Sequence, residues 1–287
     1  MSRAARRRDG YAWLAAAALA LGLGLGTGGS ASGQSMRGLQ GGDEPLEINA
    51  EDGIEWRRDE QLYIARGNAL AVRGDLSVYA DEMTAHYSEN ANQQTDIDRI
   101  DVYGNVRIVS PSETVYGDRG AYDVINGILV LVGDDLRIVG ELDVITARDS
   151  LEYWERKQMA VARGDAEAIR EDNQVKADVL TAYFLQGEGD KLKLERIDAY
   201  DNVRVSTPTE FARADRGVYY VDQELATLTG SVKLTRGDNQ LNGQYAEVNL
   251  ATGVSRLMAS PPGEGSGDDR VKGLLVPDKG NVPESGS

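Results

Sequence analysis

The sequence predicts an all-β protein built from tandem repeats. Three observations predict it: a long internal duplication, apolar residues that alternate with polar ones at a period of two, and turn residues at regular spacing. Many short strands separated by regularly spaced turns are typical of all-β folds. The pattern extends from Leu46 to about Leu257.

The duplication covers residues 48–133, which align without a gap on residues 145–230, and 33 of the 86 aligned pairs are identical. A match of this length indicates tandem duplication. Shorter phrases recur within each copy, among them Ala65-Arg-Gly-Asn and Tyr103-Gly-Asn-Val, and they set a repeat of about 33 residues. Since so small a unit cannot bury its own apolar face, the units are expected to stack on one another.

The first element lies outside the repeats and has the features of a secretory signal peptide. Four arginines precede an apolar run from Tyr11 to Leu25, and Ala31-Ser-Gly33 forms a small-residue cleavage site. We therefore predict a signal peptide over residues 1–33 and a flexible leader over residues 34–45. An uncleaved membrane anchor is the alternative, although the run is short for a membrane span.

The strands follow in order through two blocks, predicted at residues 46–140 and 141–258. In the best-matched segment Ile100, Val102, Val106 and Ile108 share one face. Asn126-Gly127 between two apolar runs predicts a hairpin. Residues 152–159 resemble a short helix, but their counterpart in the first block, residues 55–62, predicts a strand and hairpin.

The tail over residues 259–287 is rich in Pro, Gly and Ser and is predicted to be mostly disordered. Residues 270–277 within it suit one last edge strand. The first strand, Leu46–Asn49, and the segment Gln240–Leu250 are candidate sheet edges, where unpaired backbone groups invite strand addition.

The composition excludes several classes of protein. With no Cys and one His, thiol chemistry, most metal sites and His-based triads are excluded. After removal of residues 1–33 the chain keeps 27 basic and 46 acidic residues, a net charge of −19, which argues against nucleic-acid binding. We predict no catalytic residue, no metal and no cofactor.

Several polar residues recur by period and are interpreted mainly as structural. His86 aligns with Tyr183, so the position favours a ring rather than a base. The pairs Asp118-Arg119 and Asp215-Arg216 are expected to contact neighbouring turns. Four arginines also recur and favour cross-strand ion pairs, with phosphate binding at a rim as the alternative: Arg66, Arg107, Arg163 and Arg204.

The predicted inward face carries mostly Ala, Gly and Val, including Ala65, Gly67 and Gly104. Two sheets lined with such residues either leave space between them or approach closely and pack tightly. The pattern alone leaves both possibilities open.

The phrases Ala65-Arg-Gly-Asn, Tyr103-Gly-Asn-Val and Ala214-Asp-Arg, with residues 241–257 and 270–277, resemble the OstA-like (LptA) family of periplasmic lipopolysaccharide export proteins. The resemblance spans Leu46 to about Pro277. It implies a V-shaped, twisted β-jellyroll of two facing antiparallel sheets with an apolar groove that shields lipid A acyl chains. It also implies a periplasmic location. Asp201 departs from the family pattern, because the equivalent position usually holds Gly.

The resemblance and the inward-facing pattern together predict a lipopolysaccharide-binding groove. Its candidate residues are Ala69, Ala71, Met83, Val102, Val106, Ile108, Tyr122, Ala166, Leu180, Val203, Val205, Tyr219, Leu228 and Val232. The resemblance further implies an inner-membrane export subunit at one end and an outer-membrane translocon at the other, joined through edge-strand addition, with a possible head-to-tail homo-oligomer.

Three other hypotheses remain open from the sequence. The first is a membrane-anchored, LptC-like partner in the same export system. The second is a polysaccharide-acting enzyme on a repetitive β scaffold, although the acidic residues are spread by period rather than clustered. The third is a purely structural stack with a filled interior.

Overall fold

The computed structural model describes residues 46–89, 95–187, 192–249, 251–252, 254–263 and 270–276. These residues form 18 strands in one antiparallel sheet, and their one helical segment is a 3-10 turn at Glu155–Lys157. The all-β prediction is confirmed. The predicted signal peptide and leader, and residues 277–287 of the tail, lie outside the described residues.

The strands are β1 Glu47–Asn49, β2 Gly53–Arg57, β3 Leu62–Arg73, β4 Leu76–Glu89, β5 Thr95–Val109, β6 Glu113–Asp123, β7 Ile128–Val132, β8 Leu136–Gly140, β9 Asp143–Ala147, β10 Ser150–Trp154, β11 Met159–Arg170, β12 Asn173–Gln186, β13 Leu192–Ser206, β14 Glu210–Tyr220, β15 Leu225–Arg236, β16 Asn239–Asn249, β17 Val254–Met258 and β18 Lys272–Leu274. Residues 152–159 form the end of β10, the 3-10 turn and the start of β11, as their counterpart in the first block predicted.

A line of corners divides the sheet into two half-sheets. Pairing shifts register near the middle of each long strand, for example between Arg66 and Ala69 in β3 and between Tyr103 and Val106 in β5. Elsewhere one strand ends at this line and the next begins after a short turn. For example, β1 and β2 pair with the two halves of β3. Each long strand therefore contributes one half to each half-sheet.

We name the two parts the A half-sheet and the B half-sheet. The A half-sheet contains β1, β8, β9 and β18, the first halves of β4, β6, β12, β14 and β16, and the second halves of β3, β5, β11, β13 and β15. The B half-sheet contains β2, β7, β10, β17 and the remaining halves. Buried residues of both form one hydrophobic core, so the half-sheets face each other.

Glycine and aspartate build the corners. At Gly104 the backbone has φ +75°, and a Cβ placed there would lie 2.1 Å from Asp81 Oδ2 of the neighbouring strand. The next residue, Asn105, is also left-handed, with φ 47°, and its amide donates to Asp81 Oδ2 over 2.9 Å. Equivalent contacts join Gly67 to Asp52, Gly133 to Asp118, Gly164 to Asp149 and Gly230 to Asp215.

The corners correct one expectation. Gly67 and Gly104 were assigned to the apolar inner face, but they lie on the line between the half-sheets and contact carboxylates. At these positions glycine leaves room for the carboxylate and adopts the left-handed backbone without strain. The recurring Gly-Asn and Ala-Asp phrases of the sequence are therefore the two sides of one corner.

The ends of the sheet also differ in part from expectation. At the first end β1 and β2 pair only with β3, so the predicted edge at Leu46–Asn49 holds. At the last end Gln240–Leu250 is not the edge: β16 pairs with β17 along one half and with β18 along the other. The predicted late strand forms as Lys272–Leu274. The division into blocks at residues 46–140 and 141–258 stays a prediction.

Candidate functional site

The interior between the half-sheets is the candidate site, and all fourteen predicted groove residues face it. Thirteen of them are buried, and Ala71 is half-buried against the core. Side chains alternate between the two faces of each strand with a period of two. The alternation keeps its phase across each corner, so these side chains face inward on both sides of it. The structure does not, however, give all fourteen the same surroundings.

A first cavity of about 430 Å³ opens near the start of the chain, between both half-sheets. Five predicted residues line it: Ala71, Met83, Val102, Ile108 and Tyr122. Ala71 and Ile108 lie on the A half-sheet, whereas Met83, Val102 and Tyr122 lie on the B half-sheet. For comparison, an engineered apolar cavity of about 150 Å³ accommodates benzene.

A second cavity of about 150 Å³ lies at the middle of the chain and is lined mainly by apolar side chains. Of the predicted residues only Leu180 lines it. The lining also includes Val115, Leu151, Tyr153 and Phe184. Leu129 lines both cavities, so the two are neighbours along the interior.

The other predicted residues line neither of these two cavities. Ala69, Val106, Ala166, Val203, Val205, Tyr219 and Leu228 are at most 5% exposed and pack within the core. Val232 is also buried but borders a separate polar cleft near the end of the chain. Both possibilities left open by the sequence thus occur in one molecule, because space remains in some places and close packing fills others.

The sequence prediction missed several lining residues. Leu129, Ile138, Ile145, Leu151 and Phe184 line one or both cavities. Their own alternation is a usable signal, since Leu129 and Leu131 are both buried while Val130 between them faces outward. What the pattern did not provide is the pairing of β7 with β10, which brings Leu129 opposite Tyr153.

Charged side chains lie at the free edge of the A half-sheet, which is the rim formed by the strand ends farthest from the corners. Arg73 borders the first cavity, and Glu113, Asp143 and Arg170 border the second. Burial raises the pKa of Asp143, and Arg170, whose Nε lies 3.6 Å from Asp143 Oδ1, opposes that rise. This edge therefore carries charges of both signs directly beside an apolar interior.

Glu210 occupies the same edge further along the chain and is equivalent to Glu113 by the duplication. Its side chain is 5% exposed, and its nearest cation, Arg236 Nη1, lies 3.7 Å away. Burial raises the pKa of Glu210 to about 7, with Arg236 acting in the opposite direction. One carboxylate oxygen, Oε2, has no hydrogen-bond partner among the described residues.

On the outer face of the B half-sheet the charged residues pair with each other. Arg66 contacts Glu55 and Glu82 at 2.9 and 2.8 Å. Arg163 contacts Glu152 at 2.6 Å. For these two arginines the cross-strand interpretation is therefore the observed one.

Two buried aspartates on the same face occupy equivalent positions in the two blocks. Asp101 contacts Arg99 at 2.7 Å and His86 Nε2 at 2.9 Å, which gives His86 the structural role expected of it. Asp198 accepts from Tyr200 over 2.7 Å and from Arg216 over 3.3 Å. Arg216 and its neighbour Asp215 therefore have different partners. The expected contact with a neighbouring turn is wrong for Arg216, because its partner Asp198 lies in a strand.

No group of three or more His, Cys, Asp or Glu suited to a metal ion occurs within the part of the chain that the structure describes. In the same residues no helix is long and apolar enough to span a membrane.

Comparisons with known proteins identify similar chains. A family model described as "LptA/(LptD N-terminal domain) LPS transport protein" matches the chain twice, over residues 47–149 and 144–254. An uncharacterized protein of Rhizobium meliloti (strain 1021) is 32% identical over 108 residues, which cover 36% of this chain and 58% of that relative. The match thus spans little more than half of the relative's length.

Among solved structures, one similar chain is LptH of Pseudomonas aeruginosa, described as the LptA-homologous periplasmic component of its lipopolysaccharide transport device. The two chains are 17% identical, with a TM-score of 0.39. The match covers 47% of this chain and 95% of that one.

Proposed function

This chain belongs to the LptA/(LptD N-terminal domain) family of LPS transport proteins, and from that premise we propose that it is a periplasmic carrier of lipopolysaccharide. In this role the acyl chains of lipid A lie between the half-sheets, shielded from water. The observation that carries the proposal is the pair of neighbouring cavities that share Leu129.

The physical basis is the cost of exposing acyl chains. Each methylene group transferred from water to an apolar interior contributes about 0.8 kcal/mol. A lining of Ala, Val, Leu and Ile supplies that interior without chemistry at any particular atom. Charged side chains border the two cavities from both half-sheets, with Asp96 and Glu152 on the B side, so the polar part of an amphiphile can remain beside these charges while its chains lie inside.

The proposal includes partners at both ends of the sheet. The outer sides of β1 and β2 at the first end, and of β17 and β18 at the last, carry backbone groups available for strand addition. We propose that an inner-membrane export subunit and an outer-membrane translocon pair with these edges, or that copies of the chain join head to tail.

Site-specific photocrosslinking tests the interior site, with a diazirine amino acid placed at Leu129 or at Val130. These residues are adjacent on β7, but Leu129 lines both cavities while Val130 faces outward. We expect lipopolysaccharide adducts at Leu129 and none at Val130. Equal labelling at both positions, or labelling at Val130 alone, contradicts the proposal.

The membrane-anchored alternative concerns residues 1–33. N-terminal sequencing of the exported protein separates it from a free carrier: a start near Gln34 supports cleavage, whereas retention of the apolar run supports an anchored subunit. The family is one of transport proteins, which favours transport over the polysaccharide-acting enzyme.

A further inference from the structure

The outer face of the A half-sheet carries a row of cations that the interior site does not use. Cross-strand pairing joins Lys176, Arg204, Arg213, Lys233, Asn242 and Lys272 in one continuous row over β12, β13, β14, β15, β16 and β18. We call these six residues the basic row. It contains five cations and no acid in a chain whose net charge is −16.

This arrangement is unfavourable for folding alone. Lys176 faces Arg204, Arg204 faces Arg213, and Arg213 faces Lys233 across the strands. Like charges directly opposite each other in an antiparallel sheet are destabilising. When residues break a local rule without evident compensation in the fold, a functional role is the usual reason.

The cations of the basic row are also poorly compensated by carboxylates. Lys176 has Glu167 at 3.0 Å. By contrast, Arg204, Arg213, Lys233 and Lys272 have no carboxylate within 4.0 Å among the described residues. The nearest acids along the strands are engaged at the corners: Asp178 accepts from Asn202 over 2.8 Å, and Asp215 lies against Gly230.

The B half-sheet shows that this is not a general property of the protein. There two of the other recurring arginines, Arg66 and Arg163, each contact a glutamate at 2.9 Å or less. Arg204 is one of the four recurring arginines for which the sequence left phosphate binding open. Among the described residues, Arg119 and Arg256 of the B half-sheet also have no carboxylate within 4.0 Å, but their cross-strand neighbours are Tyr103, Val132 and Glu247 rather than further cations, so they form no row.

A second, neutral row runs beside the basic row, two residues nearer the free edge of the A half-sheet. It consists of Gln174, Ser206, Phe211, Thr235 and Gln240, joined by the same strand pairings. Amide and hydroxyl side chains bind sugar hydroxyls, and an aromatic ring packs against a sugar face. Arg213 lies over the Phe211 ring at 5.0 Å and so links the two rows.

A polar cleft of about 480 Å³ opens at the last end of the basic row. It is lined by three cations, Lys233, Arg270 and Lys272, together with neutral residues including Asn242 and Gln244, and none of its described lining residues is a carboxylate. The cleft continues the row, because Lys233, Asn242 and Lys272 belong to both, and it adds Arg270 and a concave surface for an anion.

We propose that the basic row, the neutral row and this cleft bind the phosphate-bearing saccharide part of the amphiphile whose acyl chains lie inside. The proposal rests on the interior carrier function and extends it to the polar half of the cargo. Since neighbouring strands are about 4.8 Å apart, six strands present the row over about 24 Å. The row crosses the strands, as do the neighbouring cavities, and it begins on β12, which also lines the second cavity.

The saccharide reaches the outer face over the free edge of the A half-sheet. Arg170, which borders the second cavity at this edge, pairs with Asn173 at the start of β12, and from Asn173 to Lys176 is three residues, about 10 Å of extended chain. A headgroup that leaves the second cavity beside Arg170 therefore meets Gln174 of the neutral row first and Lys176 of the basic row next. The neutral row suits contacts with sugar groups, and the basic row suits contacts with phosphate groups.

The test is calorimetric titration of the full chain with a deacylated, phosphorylated oligosaccharide prepared from lipopolysaccharide. The variant R204Q/R213Q/K233Q removes three cations of the row. The control R58Q/K157Q/K193Q removes three exposed cations of the B half-sheet, so the change in net charge is the same. We expect the first variant to weaken binding about tenfold or more and the control to change it less than about twofold.

Three further measurements sharpen the result. Raising the salt concentration is expected to weaken binding, because exposed charges are screened. The melting temperature of R204Q/R213Q/K233Q is expected to rise, since like-charge neighbours are removed, and this shows that lost binding does not come from unfolding. Dephosphorylated oligosaccharide is expected to lose most of the binding.

Three outcomes overturn the proposal: equal binding by the two variants, inorganic phosphate binding as tightly as the oligosaccharide, or row-dependent binding of phosphatidylglycerol vesicles without oligosaccharide binding. The carrier function fails separately. If the oligosaccharide binds the row while Leu129 gives no lipopolysaccharide adduct, the headgroup site stands and the interior role is removed.

Discussion

At the scale of single residues, the corners decide where each strand changes half-sheet. Among the described residues, five positions hold two consecutive left-handed residues, and in four of them the first is glycine. At the fifth, Asp201 has φ 60° and Asn202 has φ 52°. At the other corners, an aspartate of the neighbouring strand fills the space that a Cβ would occupy. Position 201 carries a side chain instead, so replacing Asp201 should change the free energy of unfolding.

Gly104→Ala is expected to lower the free energy of unfolding by about 1–3 kcal/mol, through both the left-handed backbone and the close approach of Asp81. Gly237→Ala is the matched control, because Gly237 has φ +53° but no atom within 4 Å of its added Cβ. Urea denaturation of both variants measures the difference. Equal losses at the two positions would show that Asp81 moves aside without cost.

Asp201→Gly is expected to raise the free energy of unfolding by about 0.5–1 kcal/mol. Glycine adopts the left-handed conformation without strain, and this gain exceeds the loss that comes from the greater entropy of glycine in the unfolded chain. Asp201→Ala should lower it, because alanine tolerates that conformation less well than aspartate does. The same denaturation experiment measures both changes. A loss of stability in the glycine variant would indicate that the Asp201 side chain itself supports the corner.

At the scale of elements, the free edge of the A half-sheet is where charge meets the apolar interior. The ends of β3, β11 and β15 bring Arg73, Arg170 and Arg236 to this edge, while β6 and β14 bring Glu113 and Glu210. A buried carboxyl at such an edge makes the stability of neighbouring strands depend on pH.

Glu210→Gln is expected to become more stable than the parent protein as the pH rises from about 4.5 to about 7. The folded protein holds the Glu210 proton up to a pKa of about 7, whereas the unfolded chain releases it near the ordinary value of 4.5. Between these values the unfolded state binds fewer protons, so ionisation of Glu210 reduces the stability of the parent as the pH rises.

Denaturation of Glu210→Gln and of the parent between pH 4 and pH 8 measures this effect. The difference in the free energy of unfolding should change in favour of the variant through that range and become constant above it. A difference that does not vary with pH would show that Glu210 ionises in the folded protein as easily as in the unfolded chain.

At the scale of the whole molecule, stacking of the repeated units leaves space in the interior unevenly. The first cavity is larger than the second, and Leu129 lies between them. The two cavities thus form neighbouring compartments for cargo, whereas Val203, Val205 and Tyr219 of the second block pack closely. Occupying one compartment with a large side chain should therefore affect binding without removing the core.

Ala71→Trp is expected to reduce binding of a fluorescent acyl-chain probe several-fold, since the indole enters the first cavity, which Ala71 lines. Val72→Trp on the same strand is the control, because the alternation directs residue 72 to the opposite face. Fluorescence titration measures probe affinity, and circular dichroism verifies that both variants fold. Unchanged affinity in Ala71→Trp would place the acyl chain outside this cavity.

The repeat, the strands and the inward face all follow from the order of the amino acids. These are local or periodic properties: a residue such as Val102 or Leu180 faces inward because alternation fixes its side, and the duplication shows it twice. For that reason the fourteen predicted residues all face the interior, and the family could be suspected from short phrases alone.

Only the tertiary structure decided which inward residues border a cavity, why the glycines recur, and that Arg204, Arg213 and Lys233 lie side by side. Each depends on cross-strand register between residues far apart in the chain, such as Leu129 with Tyr153. Register is set by the joint fit of corners, turns and core packing. Periodicity predicts which face of the sheet a side chain occupies, but not which residue lies beside it. Cavities and charged rows depend on which residues lie side by side.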